Sequence, residues 1–477
     1  QAQAMGVVVN PVLPATDDAE TAAVRCLGGW MEILGPATSG ELMHRLGLTL
    51  EMIDQAMLGL EAAGRVLRGS FTEPVMQDAE PPLEWCERRL LARIHRRTMN
   101  RLRAEIEPVS PAVFQRFLLR WQHLEPETRL HGAHGLSLVL RQLQGFEAAA
   151  GAWETKLLPA RVRDYEPEML DLLCFSGEIA WARLSPPAGL PAEGGRRSAP
   201  TRAAPLTFFR REDAGWLLQA AGWDAAADGQ RLSSAAGQVM GWLVEHGALF
   251  FSDMTRLSAA GDAHLVPAQI EDALWELAAA GRVTADGFDN LRALVDPKRR
   301  RGEGAGKAAR PRHSAGRWSL VASLLPASGA GPSASERDAD LATRQAQQLL
   351  RRYGVVFRAL LARESVSLPW YDLLLALRRL ETHGEVRGGR FVSGFAGEQY
   401  ALPEALEGLR ATRRLPPLER PLQLSASDPL NLVGIILPGE RIPAQGEAGL
   451  HLGQAAEGSG AGLYSAVPPL GELVNLG

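Results

Sequence analysis

The chain has 477 residues. A single hydrophobic core stops growing at about 250 to 300 residues, so several domains are expected. Its 46% hydrophobic and 22% charged residues exclude a largely disordered chain. The formal net charge of −4 does not by itself indicate a nucleic-acid partner, so the distribution of charge along the chain has to decide that question.

The sequence has neither a run of about 20 apolar residues nor an N-terminal basic segment followed by an apolar block. It therefore predicts no membrane span and no signal peptide, and we expect a cytoplasmic protein. Cys26, Cys86 and Cys174 lie far apart, and the histidines do not cluster at ligand spacing. Neither a disulfide framework nor a metal site is predicted.

One pattern recurs along the chain after a non-periodic, proline-containing start: an amphipathic helix, a turn, a second helix, a glycine and a short β-prone segment. The glycines are Gly64, Gly177, Gly281 and Gly384. Glycine suits the position just after a helix, where the backbone turns left-handed, and the segment after it fits an edge strand. These are the parts of a winged helix, so we predict one winged helix around each glycine.

The helices themselves are also signalled. Before three of the glycines, apolar residues recur at the spacing of one helix face, which predicts a buried stripe on each second helix. Thr38 and Ser110 are good N-caps for the helices that follow them. The stripe residues are Ile53, Met57 and Leu60; Ile270, Leu274 and Leu277; and Leu373, Leu377 and Leu380.

Three isolated β-prone segments, at 206–210, 317–321 and 433–437, need partners from distant parts of the chain. We therefore predict a mostly α chain with small β elements (α+β), made of tandem winged-helix domains plus a small β-barrel built from dispersed strands. The predicted division is a linker at 1–15, winged helix 1 at 16–80, an Arg-rich helical and winged-helix region 2 at 81–188, a linker at 189–204, a β segment and winged helix 3 at 205–295, a basic linker at 296–316, a β segment and winged helix 4 at 317–415, a β-barrel segment at 416–445 and an atypical tail at 446–477.

Several motifs resemble one family. They are RLLARIHR at 89–96, IEPVS at 106–110, RWQH at 120–123, LPARVRDY at 158–165, RGGRFV at 387–392, GEQYALP at 397–403 and SDPLNL at 427–432. Together they are similar to the C-terminal region that follows the motor in bacterial Lhr (large helicase-related) helicases of the DEAD/DEAH-box superfamily 2. The winged-helix alkylpurine DNA glycosylases are more distantly similar. The tail after residue 445 departs from the family.

The resemblance implies a DNA repair helicase that moves 3′ to 5′ with ATP and Mg on single-stranded DNA and unwinds RNA:DNA hybrids. It places that motor in the N-terminal core of the same polypeptide, outside this chain, so no cofactor is expected here. The expected role of this chain is to bind nucleic acid, to hold protomers in a homo-oligomer, or both.

The strongest electrostatic feature is a row of arginines at i, i+4, i+8 and i+12, which a helix would place on one face: Arg89, Arg93, Arg97 and Arg101. Such like charges repel, so the row needs phosphates or carboxylates beside it, and both alternatives stay open. Further candidate nucleic-acid contacts are Trp121, Arg161, Arg163, Arg387 and Arg390, together with the basic segment at 298–317, for which a solvated linker is the alternative.

The second helices of the repeats carry carboxylates, including Glu51, Asp54, Asp171 and Glu276, which repel phosphates and disfavour direct reading of a DNA groove. A DNA glycosylase domain is the alternative function. Its chemistry needs a carboxylate or amide beside a flipped base. Asp428, held in an extended backbone by Pro429, is the candidate catalytic residue, alongside Glu398 and Gln399; a turn residue is the other interpretation of Asp428.

Overall fold

The computed structural model describes residues 18–72, 82–104, 107–185, 203–223, 232–260, 264–295, 316–325, 334–416, 418, 422–443, 449–452 and 464–467. It divides the chain into an N-terminal unit, Gln1–Ile106, and a C-terminal unit, Glu107–Gly477. Helices predominate and the sheets are small, which confirms the predicted fold class. Within these described ranges, no helix combines the length and apolarity that crossing a bilayer requires.

The N-terminal unit contains the first winged helix, WH1, followed by one long helix. Its elements are α1 (Ala19–Met31), β1 (Ala37–Thr38), α2 (Ser39–Leu46), α3 (Leu50–Ala62), β2 (Val66–Gly69), β3 (Glu84–Glu87) and α4 (Arg88–Ala104).

The C-terminal unit begins with α5 (Pro111–Trp121) and contains three more winged helices. WH2 comprises β4 (Leu130–His131), α6 (Gly132–Leu143), β5 (Ala148–Ala149), α7 (Ala150–Ala152), a π-helical turn (Trp153–Leu157), α8 (Leu158–Arg161), β6 (Val162–Arg163), α9 (Pro167–Phe175), β7 (Ile179–Ala182) and β8 (Pro205–Arg210), with α10 (Ala214–Ala220) after it. WH3 comprises α11 (Ser234–His246), α12 (Phe251–Ala260), α13 (Pro267–Ala279), β9 (Val283–Ala285), α14 (Asp289–Val295) and β10 (Trp318–Leu320).

WH4 comprises α15 (Ala334–Tyr353), β11 (Val355–Val356), a 3-10 helix (Arg358–Arg363), α16 (Trp370–Thr382), β12 (Arg387–Gly389) and β13 (Gln399–Ala401), with α17 (Pro403–Arg413) packed on α5. The last strands are β14 (Leu422–Ser425), β15 (Gly449–Leu452) and β16 (Tyr464–Val467).

All four winged helices share one strand order. In WH1, WH2 and WH4 the last strand pairs with both earlier strands, giving the orders β1-β3-β2, β5-β8-β7 and β11-β13-β12. In WH3, β10 pairs with β9, and a bridge from Leu249 to Trp318 takes the place of the first strand. This common topology confirms that the sequence pattern marks one repeated module.

The four marker glycines adopt the left-handed conformation that the sequence predicts, with φ of 68° at Gly64, 77° at Gly177, 68° at Gly281 and 80° at Gly384. After α3, α13 and α16, the residue following the glycine donates its amide to the last turn of the helix, as from Arg282 to the Leu277 carbonyl at 2.8 Å. These bonds satisfy helix carbonyls that would otherwise lack partners.

The apolar stripes and the caps also match the prediction. Every stripe residue is buried, from Ile53 at 0% to Leu380 at 3% exposure. Thr38 caps α2 with a capping box formed with Glu41, and Ser110 accepts the Val113 amide at the start of α5.

Two of the three isolated β segments belong to the preceding repeat and not to the following one. The segment at 206–210 pairs with β7 of WH2, and Trp318–Leu320 pairs with β9 of WH3. The sequence division placed both at the start of the next domain, because long Gly- and Pro-rich stretches separate each strand from its partner. Strand pairing is a long-range contact that local composition does not reveal.

The third segment, 433–437, is not a strand, which corrects that prediction. Gly434 has φ of 73°, and the amides of Ile435, Ile436 and Leu437 all donate to the Leu432 carbonyl, which makes a tight turn. The nearby β14, β15 and β16 form an open antiparallel sheet, and the strands in the described ranges form no closed barrel. Two of these strands lie in the tail that the sequence marks as atypical.

Candidate nucleic-acid interface and buried polar network

An arginine row lies on α4 of the N-terminal unit. Arg89, Arg93 and Arg97 are exposed, four residues apart on one helix face, and Arg88 and Arg96 are exposed beside them. Within the part of the chain that the structure describes, none of the three row guanidinium groups bonds to a carboxylate. Arg101 is on the same helix, but its side chain lies outside the described residues.

Arg161 lies in the interior of the C-terminal unit and cannot contact nucleic acid there, which corrects the expectation for this residue. Its Nη1 and Nη2 donate to the two carboxylate oxygens of Asp428 at 2.7 and 2.9 Å, and the two side chains are 0% and 2% exposed. Nη2 also donates to Gln122 Oε1 at 2.8 Å. Arg161 is therefore a structural cation whose charge is already matched.

Asp428 holds the loop that follows β14. Its Oδ1 accepts the Leu430 amide at 2.9 Å, and its carbonyl accepts Arg363 Nη2 at 2.7 Å and the Asn431 amide at 3.0 Å. This is the turn geometry that Asp adopts when its side chain bonds to the backbone two residues on. The geometry favours the turn interpretation of Asp428 over the catalytic one.

A second buried ion pair continues the network. Arg352 pairs with Glu364, with exposures of 2% and 3%, and Tyr353 donates to Glu364 at 2.7 Å. Burial, followed by the nearby Glu364 carboxylate, raises the pKa of Tyr353 far above its usual value. Gln122 Nε2 donates to the Arg352 carbonyl at 2.9 Å and so joins this pair to Arg161.

Two segments of the chain match known domain families. Residues 109–196 and residues 335–420 each match a family described as "Large helicase-related protein, winged-helix domain", for the third and the fourth such domain. Both segments are therefore similar to winged-helix domains of Lhr proteins. The resemblance that the sequence motifs predict is thereby confirmed.

Two curated relatives extend the similarity beyond these domains. The "Lhr helicase/ probable uracil glycosylase" of Mycolicibacterium smegmatis is 31% identical over 91% of this chain, and the "Lhr helicase/uracil glycosylase" of Escherichia coli is 26% identical over 85%. The alignments cover 28% and 26% of those proteins, so the chain spans about a quarter of their length. The DNA glycosylase AlkZ of Streptomyces sahachiroi aligns with 16% identity and a TM-score of 0.35, over 66% of this chain and 76% of that one.

The buried network joins the two Lhr winged-helix domains to each other and to the last strands. Gln122 and Arg161 lie in the domain at 109–196, Arg352 and Glu364 in the domain at 335–420, and Asp428 follows both. Arg352 and Arg363 also lie over the Phe146 ring, at 5.6 and 5.1 Å from its centre. The hydrogen bonds of Gln122, Arg161 and Asp428 therefore connect the two matched segments with the loop after β14.

The other residues predicted to contact nucleic acid differ in solvent exposure. Arg163 is exposed after α8, and Arg387 and Arg390 are exposed at the wing of WH4. Trp121 is half-buried, with its Nε1 bonded to the Arg351 carbonyl at 2.9 Å and its ring against Phe117. Trp121 therefore contributes to packing more than to an open stacking surface. The basic segment at 298–317 lies outside the described residues except for its end.

The two glycosylase candidates beside Asp428 also have structural partners. Glu398 pairs with Arg378 at 2.7 Å on the surface. Gln399 is 0% exposed and bonds to the backbone of Phe391 and Val392, which closes the wing of WH4.

Some carboxylates of the second helices serve internal contacts. Asp171 of α9 and Glu154 of the π-helical turn both bind Arg292 of α14, at 3.1 and 2.7 Å, and so connect WH2 with WH3. Burial raises the pKa of Asp171 above its usual value. Glu276 of α13 accepts the Ser233 amide at 2.7 Å at the start of α11.

Sequence reasoning missed the buried pair of Arg352 and Glu364. A signal for Arg352 does exist: Gln345, Gln348 and Arg352 recur at helical spacing within α15, and all are at most 5% exposed. Polar residues on the same face as apolar ones indicate a buried network when their partners are known. Gln348 bonds to the Gln142 carbonyl, 206 positions away, and Glu364 lies 12 positions after Arg352 in a different element, so neither contact is evident from the spacing within α15.

Proposed function

We propose that this chain is the nucleic-acid-binding accessory region of an Lhr-type DNA repair helicase, located C-terminal to the ATP-dependent motor in the same polypeptide. The observation that carries the proposal is the exposed arginine row on α4, whose charges lack carboxylate partners among the described residues. The Lhr winged-helix domains in the same chain support it. Association of protomers through the acidic winged-helix faces is the second part of the proposal.

The row suits a strand backbone better than base edges. Three cations on one helix face repel each other, and phosphates spaced along a strand remove that repulsion and release counterions. The acidic second helices disfavour groove reading, so binding depends little on sequence. Single-stranded DNA or an RNA:DNA hybrid is the proposed ligand, with Arg163, Arg387 and Arg390 as further contacts.

The test replaces the row by neutral side chains of similar size. The triple variant Arg89→Gln, Arg93→Gln, Arg97→Gln is expected to bind a fluorescent oligo-dT roughly 100-fold more weakly at 0.1 M salt, since three phosphate contacts contribute a salt slope of about 2 on single strands. Fluorescence anisotropy across a salt series measures both quantities.

A matched control removes the same charge elsewhere. Arg344, Arg378 and Arg413 are exposed arginines that each pair with a carboxylate, and their triple change to Gln should leave the slope nearly unchanged. Equal losses in the two triple variants would show that total charge, and not the row on α4, drives binding.

Uracil excision is the second candidate function, because both curated relatives carry "uracil glycosylase" in their names. If this chain excises uracil, incubation with uracil-containing single-stranded DNA will produce alkali-labile abasic sites without ATP, and thymine-containing DNA will not. Gel analysis of alkali-treated labelled strands measures this. If the uracil-containing strands stay uncut at micromolar concentrations of the protein, uracil excision is rejected as its function.

A further inference from the structure

Two buried glutamines mark a junction in the C-terminal unit. Gln144, after α6, and Gln348, on α15, are 1% and 3% exposed, and Gln144 Nε2 donates to Gln348 Oε1 at 3.1 Å. Gln348 Nε2 donates in turn to the carbonyls of Arg141 and Gln142, at 3.2 and 2.9 Å. The end of α6 and the last turns of α15 are therefore held side by side.

Three arginines surround this pair. Arg141 is on the last turn of α6, Arg351 is on α15 with its Nη1 bonded to Gln348 Oε1 at 2.8 Å, and Arg210 ends β8 with its amide bonded to Gln144 Oε1 at 3.2 Å. The three cations belong to three different elements. Only the tertiary fold brings them to one place.

The carboxylates at this junction do not neutralise all three arginines. Glu212 pairs with Arg210 at 2.7 Å, and Asp213 accepts from Gln144 Nε2 at 3.0 Å and from Trp216 Nε1 at 2.8 Å. Over the ranges that the structure covers, Arg141 and Arg351 make no ion pair with a carboxylate. The half-buried Arg351 guanidinium thus lacks a direct ion pair, which is costly and favours an external anion beside it and the exposed Arg141.

The electrostatics of Arg351 agree with this geometry. Burial and then the nearby Arg141 charge lower the pKa of the Arg351 guanidinium, with Asp213 acting in the opposite direction. A bound anion would relieve the repulsion between the two arginines.

We propose that Arg141 and Arg351, with Arg210 beside them, bind a phosphate of a nucleic-acid strand, as a second contact region separate from the α4 row. Arginine is suited to this because its planar fork matches two phosphate oxygens. The inference rests on the proposed nucleic-acid-binding function and adds a defined site at the junction of the two Lhr winged-helix domains.

The experiment compares four versions of the full chain on the same oligo-dT: unchanged, Arg141→Gln with Arg351→Gln, the α4 triple variant, and all five changes together. The double variant is expected to lower the salt slope by roughly 0.7, as for one phosphate contact on a single strand, and the combined variant should add both losses. Arg344→Gln with Arg378→Gln is the matched control. Arg141 is exposed, so Arg141→Gln alone should lower the affinity for oligo-dT in part without disturbing the packing around Arg351.

The outcomes separate this inference from the proposed function. A loss in the α4 variant, with the Arg141 and Arg351 double variant behaving like its control, overturns this site and leaves the function standing. If the α4 variant binds like wild type and the double variant loses affinity, the site stands and the α4 proposal fails. If wild type binds inorganic phosphate and the double variant does not, while both bind oligo-dT equally at matched ionic strength, the site binds free phosphate and the strand proposal is overturned.

Discussion

Replacement of Asp428 by alanine is expected to lower the free energy of unfolding of the C-terminal unit by about 3 to 5 kcal/mol. The change leaves the Arg161 guanidinium, 0% exposed, without its carboxylate partner in the interior. It also removes the acceptor for the Leu430 amide and so loosens the loop after β14. A buried cation that loses its partner is among the costliest single changes in a protein.

Urea unfolding followed by tryptophan fluorescence measures this effect. Asp340→Ala is the matched control, since it also removes one carboxylate from an arginine pair, the pair with Arg344, but that pair is about half exposed and contributes at most about 1 kcal/mol. Pairing Asp428→Leu with Arg161→Met should recover much of the loss, because no buried charge then remains unpaired. Similar stabilities for Asp428→Ala and the control would contradict the structural role of this ion pair.

A more conservative change at the same position, Asp428→Asn, bears on uracil excision. The asparagine also disturbs the pair with Arg161, so a loss of excision in Asp428→Asn has to be compared with the fraction of the variant that is folded. The expected result is that activity and folded fraction fall together.

Replacement of Gly281 by alanine is expected to lower the free energy of unfolding by about 2 to 5 kcal/mol. A left-handed backbone costs a residue with a Cβ about 1 to 2 kcal/mol, and overpacking adds about 1 to 3. Gly281 has φ of 68°, and a Cβ there would lie 2.5 Å from the Arg183 carbonyl oxygen. Backbone has to move, since no flexible side chain can give way.

Gly384→Ala is the natural control for that change. Gly384 has φ of 80° at the equivalent position of WH4, but a Cβ there would meet nothing within 4 Å. It should therefore show the conformational cost alone, about 1 to 2 kcal/mol. Thermal and urea unfolding of both variants provide the comparison, and an equal loss would mean that the Arg183 contact adds nothing.

Local features were predictable because their physics is local. Glycine tolerates a left-handed turn and Thr38 caps the next amides within a few residues, so WH1 to WH4 are visible as a repeated pattern. The resemblance to Lhr proteins likewise followed from short motifs. The arginine row on α4 is readable for the same reason, since one helix face is defined by spacing alone.

Strand partnership and burial could not be obtained in this way. The 206–210 and 318–320 segments are strands in sequence and in structure, but which wing each completes depends on contacts across long intervening stretches. The 433–437 segment has β-prone side chains, yet its backbone bonds converge on Leu432 and make a turn. Local propensity is a weak guide where tertiary contacts compete with it.

By itself, the sequence determined the repeated helix, glycine and strand modules and the exposed arginines of α4. Only the tertiary structure decided which of the other arginines are buried in ion pairs and which are not, because the side chains themselves are chemically identical. Arg161 is enclosed because Asp428, 267 positions later, folds against it, whereas Arg141 and Arg351 meet at a junction where the described carboxylates do not neutralise them. The sign and number of charges are written in the chain, but whether a charge is matched depends on which distant residues the fold brings beside it.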